Sequence, residues 1–214
     1  MVISLGCASI VLLLSLGFAG LGSEVREGDT PSLDAYVLAR AADLRATYPG
    51  VAVAMRDISG MGSTTVLFLL AAIAAGYLAL VGSRTSACLA ALSALCGTGV
   101  MHLLKLTFAR SRPPPEFAAL SVDGWSFPSG HASLSAVVYL TLGVLLAATR
   151  EKPRERLYIL ACAALVVALI GVSRVVLEVH WATDVLAGWA FGSAWALAWL
   201  LLDWHLRRRK TARS

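Results

Sequence analysis

Six long stretches of this chain contain no Asp, Glu, Lys or Arg: 2–22, 58–83, 85–104, 132–149, 157–173 and 185–202, each 17 to 26 residues long. A helix needs about 20 apolar residues to cross the hydrocarbon of a bilayer. A spanning backbone finds no water for its amides, and an open strand leaves an edge unpaired, so such stretches must be helical. The expected fold is an all-α integral membrane bundle of six transmembrane helices, a single domain over residues 1–214, with spans at about 2–22, 60–82, 86–106, 130–149, 157–174 and 184–204. Composition agrees. With 58% hydrophobic residues against 14% charged and a mean hydropathy of +0.75, both a water-soluble globule and a disordered chain are excluded.

The first stretch lacks the basic start of a signal peptide and is long for a signal's apolar region, so a retained helix is expected. Orientation follows from Lys and Arg, which collect in cytoplasmic loops. Arg84, the loop 150–156 and the tail 207–214 together hold 10 of the 18 basic residues, Arg213 among them. That side, with both termini, is expected to be cytoplasmic. The tail is either a topology anchor or a contact for anionic headgroups. The opposite face carries outer segments 23–57 and 105–131. In the earlier one, Leu33, Tyr36, Val37, Arg40, Ala41 and Leu44 recur at helical spacing, which predicts an amphipathic helix over 32–45. It either lies along the outer leaflet beside a lipid entrance or packs on the bundle. Cys7, Cys88, Cys96 and Cys162 sit in apolar runs without metal-ligand spacing and read as small core residues.

Polar residues at membrane boundaries are costly, and three clusters of them fall at the same outer rim. Lys105 and Arg112 are seven apart, on one helical face two turns apart, and Pro113 biases Arg112 out of the helix. They either converge on an anion or snorkel. Pro128, Ser129, Gly130 and His131 open the fourth span, where free amides and the positive end of the helix dipole make either a phosphate seat or a plain cap. In the third cluster, His180 and Asp184 are four apart, so a helix starting by His180 makes them neighbours. A carboxylate there fixes one ring nitrogen as donor and leaves the other as a nucleophile. Arg174 joins them only if the chain bends between 174 and 180, for which the valines 175, 176 and 179 are the expected site. Two histidines, one aspartate, three cations and a helix N-terminus at one rim are what phosphoryl transfer requires.

Lys105-x6-Arg112-Pro113, Pro128-Ser129-Gly130-His131 and Ser173-Arg174-x5-His180-x3-Asp184 resemble, in order, the three-part signature of the type 2 phosphatidic acid phosphatases, membrane lipid phosphatases that share a core with vanadium haloperoxidases. The segment 56–63 also resembles one found in bacterial members. The resemblance implies that His180 attacks phosphorus, that Asp184 holds its ring, and that His131 protonates the leaving oxygen and then activates water. Lys105, Arg112, Arg174, Ser129 and Gly130 would bind the phosphoryl oxygens. No metal or other cofactor is implied, and no nucleic-acid partner is expected. The implied substrate is a lipid phosphate or lipid pyrophosphate, with phosphatidic acid, phosphatidylglycerophosphate, undecaprenyl pyrophosphate and lipid A phosphates all open. The implied location is a bacterial inner membrane with the site facing the periplasm or exterior. Two alternatives stand beside hydrolysis: transfer of the phosphate from His180 to another hydroxyl, and a non-catalytic carrier of a phosphate ligand. His102 is expected to face protein. Arg110 and Asp123 lie outside the motif, and Glu178 either modulates the site or is solvated. The six tryptophans read as packing and interface anchors.

Overall fold

The computed structural model describes residues 2–114, 118–120 and 122–211. Arg213, at the end of the basic tail, lies outside the described residues. The helices are α1 (Val2–Glu27), α2 (Pro31–Thr47), α3 (Gly50–Gly60), α4 (Thr64–Leu80), α5 (Arg84–Phe108), α6 (Gly130–Ala147), α7 (Pro153–Val176) and α8 (Ala182–Thr211). Among the described residues there is no strand. Six segments are long and apolar enough to cross a membrane: five single helices and the pair α3–α4 as one run, Gly50–Leu80. The protein is an integral membrane bundle.

Local chemistry sets the breaks. Pro31 and Pro153 stand in the first turns of α2 and α7, where a missing amide hydrogen costs nothing. The Ser63 side chain caps α4 by accepting from the Val66 amide at 3.4 Å. Helix α5 stops at Ala109, which takes a left-handed conformation at φ 44°. Several helices overrun the charge-free stretches: α1 continues through Arg26 to Glu27, and α8 starts before and ends after its stretch. Charged side chains at a helix end can reach the interface while the backbone stays helical.

Helix α6, which contains a π-helical stretch at Ala136–Leu140, is the most enclosed span and lies against α8. Small residues allow the approach. A Cβ at Gly188 would stand 2.9 Å from both the Ala132 Cβ and the Ser129 carbonyl oxygen, and one at Gly192 would strike the Ser133 carbonyl oxygen. Lipid tails are as apolar as leucine, so helices in a bilayer associate through such close van der Waals packing. Trp195 ties α8 to α5 by donating to the Ser93 carbonyl at 3.0 Å, and Trp189 ties it to α7 through the Val167 carbonyl at 3.1 Å. Beneath the site, Phe18 of α1 stacks among Phe108, Phe127 and Phe191, with ring centroids 5.8 to 6.4 Å away.

The helix after the first span is present, whereas the readings of the cysteines and of His102 need correcting. In α2, Val37 and Ala41 of the expected stripe face the bundle beside Asp34, while Leu33, Tyr36 and Leu44 are exposed. Cys88 and Cys96 are exposed and Cys7 and Cys162 half-buried, so these cysteines line the outside of the bundle rather than its core. His102 is likewise exposed. All four cysteines lie on helices long and apolar enough to cross a membrane, and in a bilayer the outward face of such a helix can be as apolar as the inward one.

Candidate active site

The three clusters converge where α5, α6, α7 and α8 meet. At its centre stands His180, 2% exposed, in the turn between α7 and α8. Helix α7 ends in a Schellman turn: the Val179 amide donates to the Arg174 carbonyl at 3.1 Å and the Glu178 amide to the Val175 carbonyl at 2.9 Å. Glu178 takes the left-handed position at φ 55°. The bend between Arg174 and His180 is therefore made at Glu178, not by the valines.

Asp184 sits in the first turn of α8. Its Oδ2 accepts from the Trp181 amide at 2.9 Å, the reciprocal half of a capping box, and lies 3.3 Å from His180 Nδ1. Ser126 Oγ donates to the same oxygen. On the other side of the ring, Arg112 Nη1 lies 3.1 Å from His180 Nε2. A guanidinium cannot accept a hydrogen bond, so Nε2 must carry the lone pair and Nδ1 the proton it offers to Asp184. Burial pulls the imidazole down to about 4, against the hydrogen bond and charge of Asp184, and Arg112 and Lys105 lower it further. His180 is thus a neutral imidazole at ordinary pH with its free nitrogen directed at a cation.

Arg112 is held by the carbonyls of Gly124 at 2.9 Å and Val179 at 2.7 Å. Burial moves its guanidinium below its usual pKa, with the Asp184 and Asp123 charges opposing. Lys105 Nζ donates to the Trp125 carbonyl at 2.5 Å, and its Cε lies 3.9 Å from where a Gly130 Cβ would be. Arg174, 3% exposed, donates from Nη1 to Ser59 Oγ at 2.5 Å. Its Nε has no partner among the described residues, and neither has the buried Ser129 Oγ.

Ser129 precedes α6, and its amide donates to the Asp184 carbonyl at 3.0 Å, which pins the start of α6 to the start of α8. Its hydroxyl makes no cap bond. His131 follows in the first turn, packed near Gly62, where an added Cβ would approach its Cδ2 to 3.2 Å. Arg174, His180, Arg112 and Lys105 all act electrostatically on the His131 ring. The eight residues singled out from the motifs therefore lie in one region.

Sequence reasoning passed over a second layer. Arg110 donates from Nη1 to Asp184 Oδ1 and from Nη2 to Asp34 Oδ2, both at 2.6 Å. Glu178, read as modulating or solvated, is 1% exposed and lies 2.6 Å from Arg45 of α2. Beside Arg112 opens a cavity of about 680 Å³ lined by Asp123, Gly124, Trp125, Glu178 and Val179 among others.

A six-span helical bundle that gathers these residues at one end defines a class of membrane protein, and the comparisons agree on which. The chain belongs to the PAP2 superfamily, whose model matches residues 67–210. It is 39% identical over 85 residues to phosphatidylglycerophosphatase B of Bacillus subtilis, covering 38% of this chain and 41% of that protein. It is 32% identical over 105 residues to a lipid A 1-phosphatase of Rhizobium johnstonii, covering 45% of this chain and 39% of that one. The chain thus spans less than half the length of the curated relatives it matches. Among solved structures, the transmembrane PAP2-type phosphatidylglycerolphosphate phosphatase of Bacillus subtilis superposes with a TM-score of 0.82 at 26% identity, over 91% of this chain and 96% of that one. Aquifex aeolicus LpxE superposes with a TM-score of 0.58 at 25% identity, over 78% and 94%.

Proposed function

We propose that this protein is a lipid phosphatase that hydrolyses a lipid phosphate or lipid pyrophosphate through a phosphohistidine on His180, at the outer face of a bacterial inner membrane. The observation that carries this reading is the setting of His180: Nδ1, which keeps its proton, lies 3.3 Å from the accepting Asp184 Oδ2, and Nε2 with its lone pair lies 3.1 Å from Arg112 Nη1. The names of the relatives, which act on phosphatidylglycerophosphate or lipid A, support the substrate class.

In the first step His180 Nε2 forms a bond to phosphorus as the bond to the lipid oxygen breaks, and His131 gives that oxygen a proton. Asp184 keeps the Nδ1 proton in place and balances the charge that develops on the ring. In the second step water attacks phosphorus, its proton passes to His131, and the nitrogen–phosphorus bond breaks. Lys105, Arg112 and Arg174 hold the phosphoryl oxygens with Ser129 and the Gly130 amide, stabilising charge where it grows. The unpartnered donors on Arg174 and Ser129 suit that task. No step calls on a metal or cofactor.

The test is phosphate release from phosphatidic acid, phosphatidylglycerophosphate and undecaprenyl pyrophosphate by purified protein in excess chelator, compared with His180→Ala. Release by the parent chain and none by the variant is expected. Silence towards every lipid, or equal release by the variant, overturns the reading.

A further inference from the structure

Arg110 has no direct role in the reaction, yet it makes two short buried ion pairs beside His180. One fork bridges two buried carboxylates, Asp184 of α8 and Asp34 of α2, each at 2.6 Å. Thr183 Oγ1 and Thr30 Oγ1 also accept from it, at 2.8 and 2.9 Å. Asp34 in turn accepts from the Thr183 amide at 3.0 Å and from the Thr183 hydroxyl at 2.8 Å, so it grips the first turn of α8 as well as the guanidinium. Asp34 and Asp184 are 2% and 0% exposed. The arrangement is a line of charges, minus, plus, minus, that ends on the carboxylate touching His180.

We propose that Arg110 and Asp34 are positioning residues for the reaction: Arg110 fixes the Asp184 carboxylate against His180, and Asp34 limits how much positive charge Arg110 imposes on that pair. This rests on the reading of His180 as nucleophile. Asp184 shares one oxygen among His180, Trp181 and Ser126, and Arg110 holds the other, so the carboxylate cannot rotate away from the ring. A guanidinium also draws electron density from Asp184, which keeps the Nδ1 proton on the imidazole. Outer partners that orient an inner group in this way are commonly worth about 10- to 100-fold in activity.

Charge and scaffold are separable because the two substitutions act with opposite sign. Arg110→Met removes a cation beside Asp184, favours the imidazolium, and should move the acid limb of kcat/KM to higher pH, with kcat down roughly 10- to 100-fold and little change in KM. Asp34→Asn leaves Arg110 uncompensated and should move the limb to lower pH. Arg110→Lys keeps the charge but not the fork, should fall between, and serves if the Met variant does not fold. The other charges around the ring stay constant across the series: Lys105 of α5, Arg112, His131 of α6, Arg174 of α7, and the Arg45–Glu178 pair.

Diethylpyrocarbonate labelling of His180 in the full chain, followed by peptide mass against pH, reads the same ring without catalysis. A parent protein inert towards lipid phosphates therefore sinks the functional reading while labelling still decides this one. Labelling midpoints displaced in opposite directions support the network. Midpoints that coincide with the parent, or that move the same way in both variants, overturn it.

Discussion

Arg112 is held against His180 by the Val179 and Gly124 carbonyls, at 2.7 and 2.9 Å, with Nη1 left 3.1 Å from the ring nitrogen. The arginine offers only donors and the histidine nitrogen only a lone pair. Burial makes that pairing matter, since it holds the ring neutral down to about 4 where a free imidazole titrates at 6.5. A histidine whose folded pKa lies below its unfolded value contributes stability that is fully present above 6.5 and is lost as pH falls from there to about 4. The thermal midpoint in detergent should therefore drop across that window, with this one group contributing at most about 1.4 kcal/mol per pH unit. His180→Asn should flatten that part of the curve; an unchanged slope would mean the ring is not held neutral. At this scale the pairing of His180 with Asp184 was legible from their spacing, although α8 begins only at Ala182 and the contact is made across its first turn, where Asp184 also accepts from the Trp181 amide. Arg110 was not legible. Its second carboxylate, Asp34, lies 76 residues away, and no local pattern links the two.

Helix α2 shows that a stripe of residues at helical spacing does not say which of its members pack. Of the residues that gave the periodicity, Val37 and Ala41 turn inward with Asp34, while Leu33, Tyr36 and Leu44 are 40% to 59% exposed. What marks the packed face is a polar group that must be satisfied there, the Asp34 carboxylate that accepts from Arg110 and from the Thr183 amide. The α6–α8 contact is the converse case, where glycine spacing marks the packed face. Gly192→Leu should push α8 off the Ser133 carbonyl and displace Ser129 from the Asp184 carbonyl it now meets at 3.0 Å. Overpacking of this kind typically costs about 1–3 kcal/mol. Both the unfolding temperature and phosphate release should fall, whereas Gly76→Leu, with nothing within 4 Å of its added Cβ, should leave both near the parent values.

Across the whole molecule, the number and helicity of the spans followed from the charge-free stretches. Where the second one starts did not, because Gly50–Gly60 is helical although it carries Arg56 and Asp57. The proposed orientation has its own check. With Asp123→Cys or Glu151→Cys placed in turn in a chain lacking its four native cysteines, a membrane-impermeant thiol reagent on intact cells should label the first and reach the second only after permeabilisation. The reverse pattern would put the site in the cytoplasm.

The hold of the first helices on the site has a consequence for where this protein begins as a working unit. Arg110, Arg174 and Glu178 each lean on a residue earlier than 67: Asp34, Ser59 and Arg45. A fragment trimmed to the family match at 67–210 would keep every letter of the signature and lose the brackets on Arg174 and on its neighbours Arg110 and Glu178. The family match and the set of residues that steady the site start at different points along the same polymer.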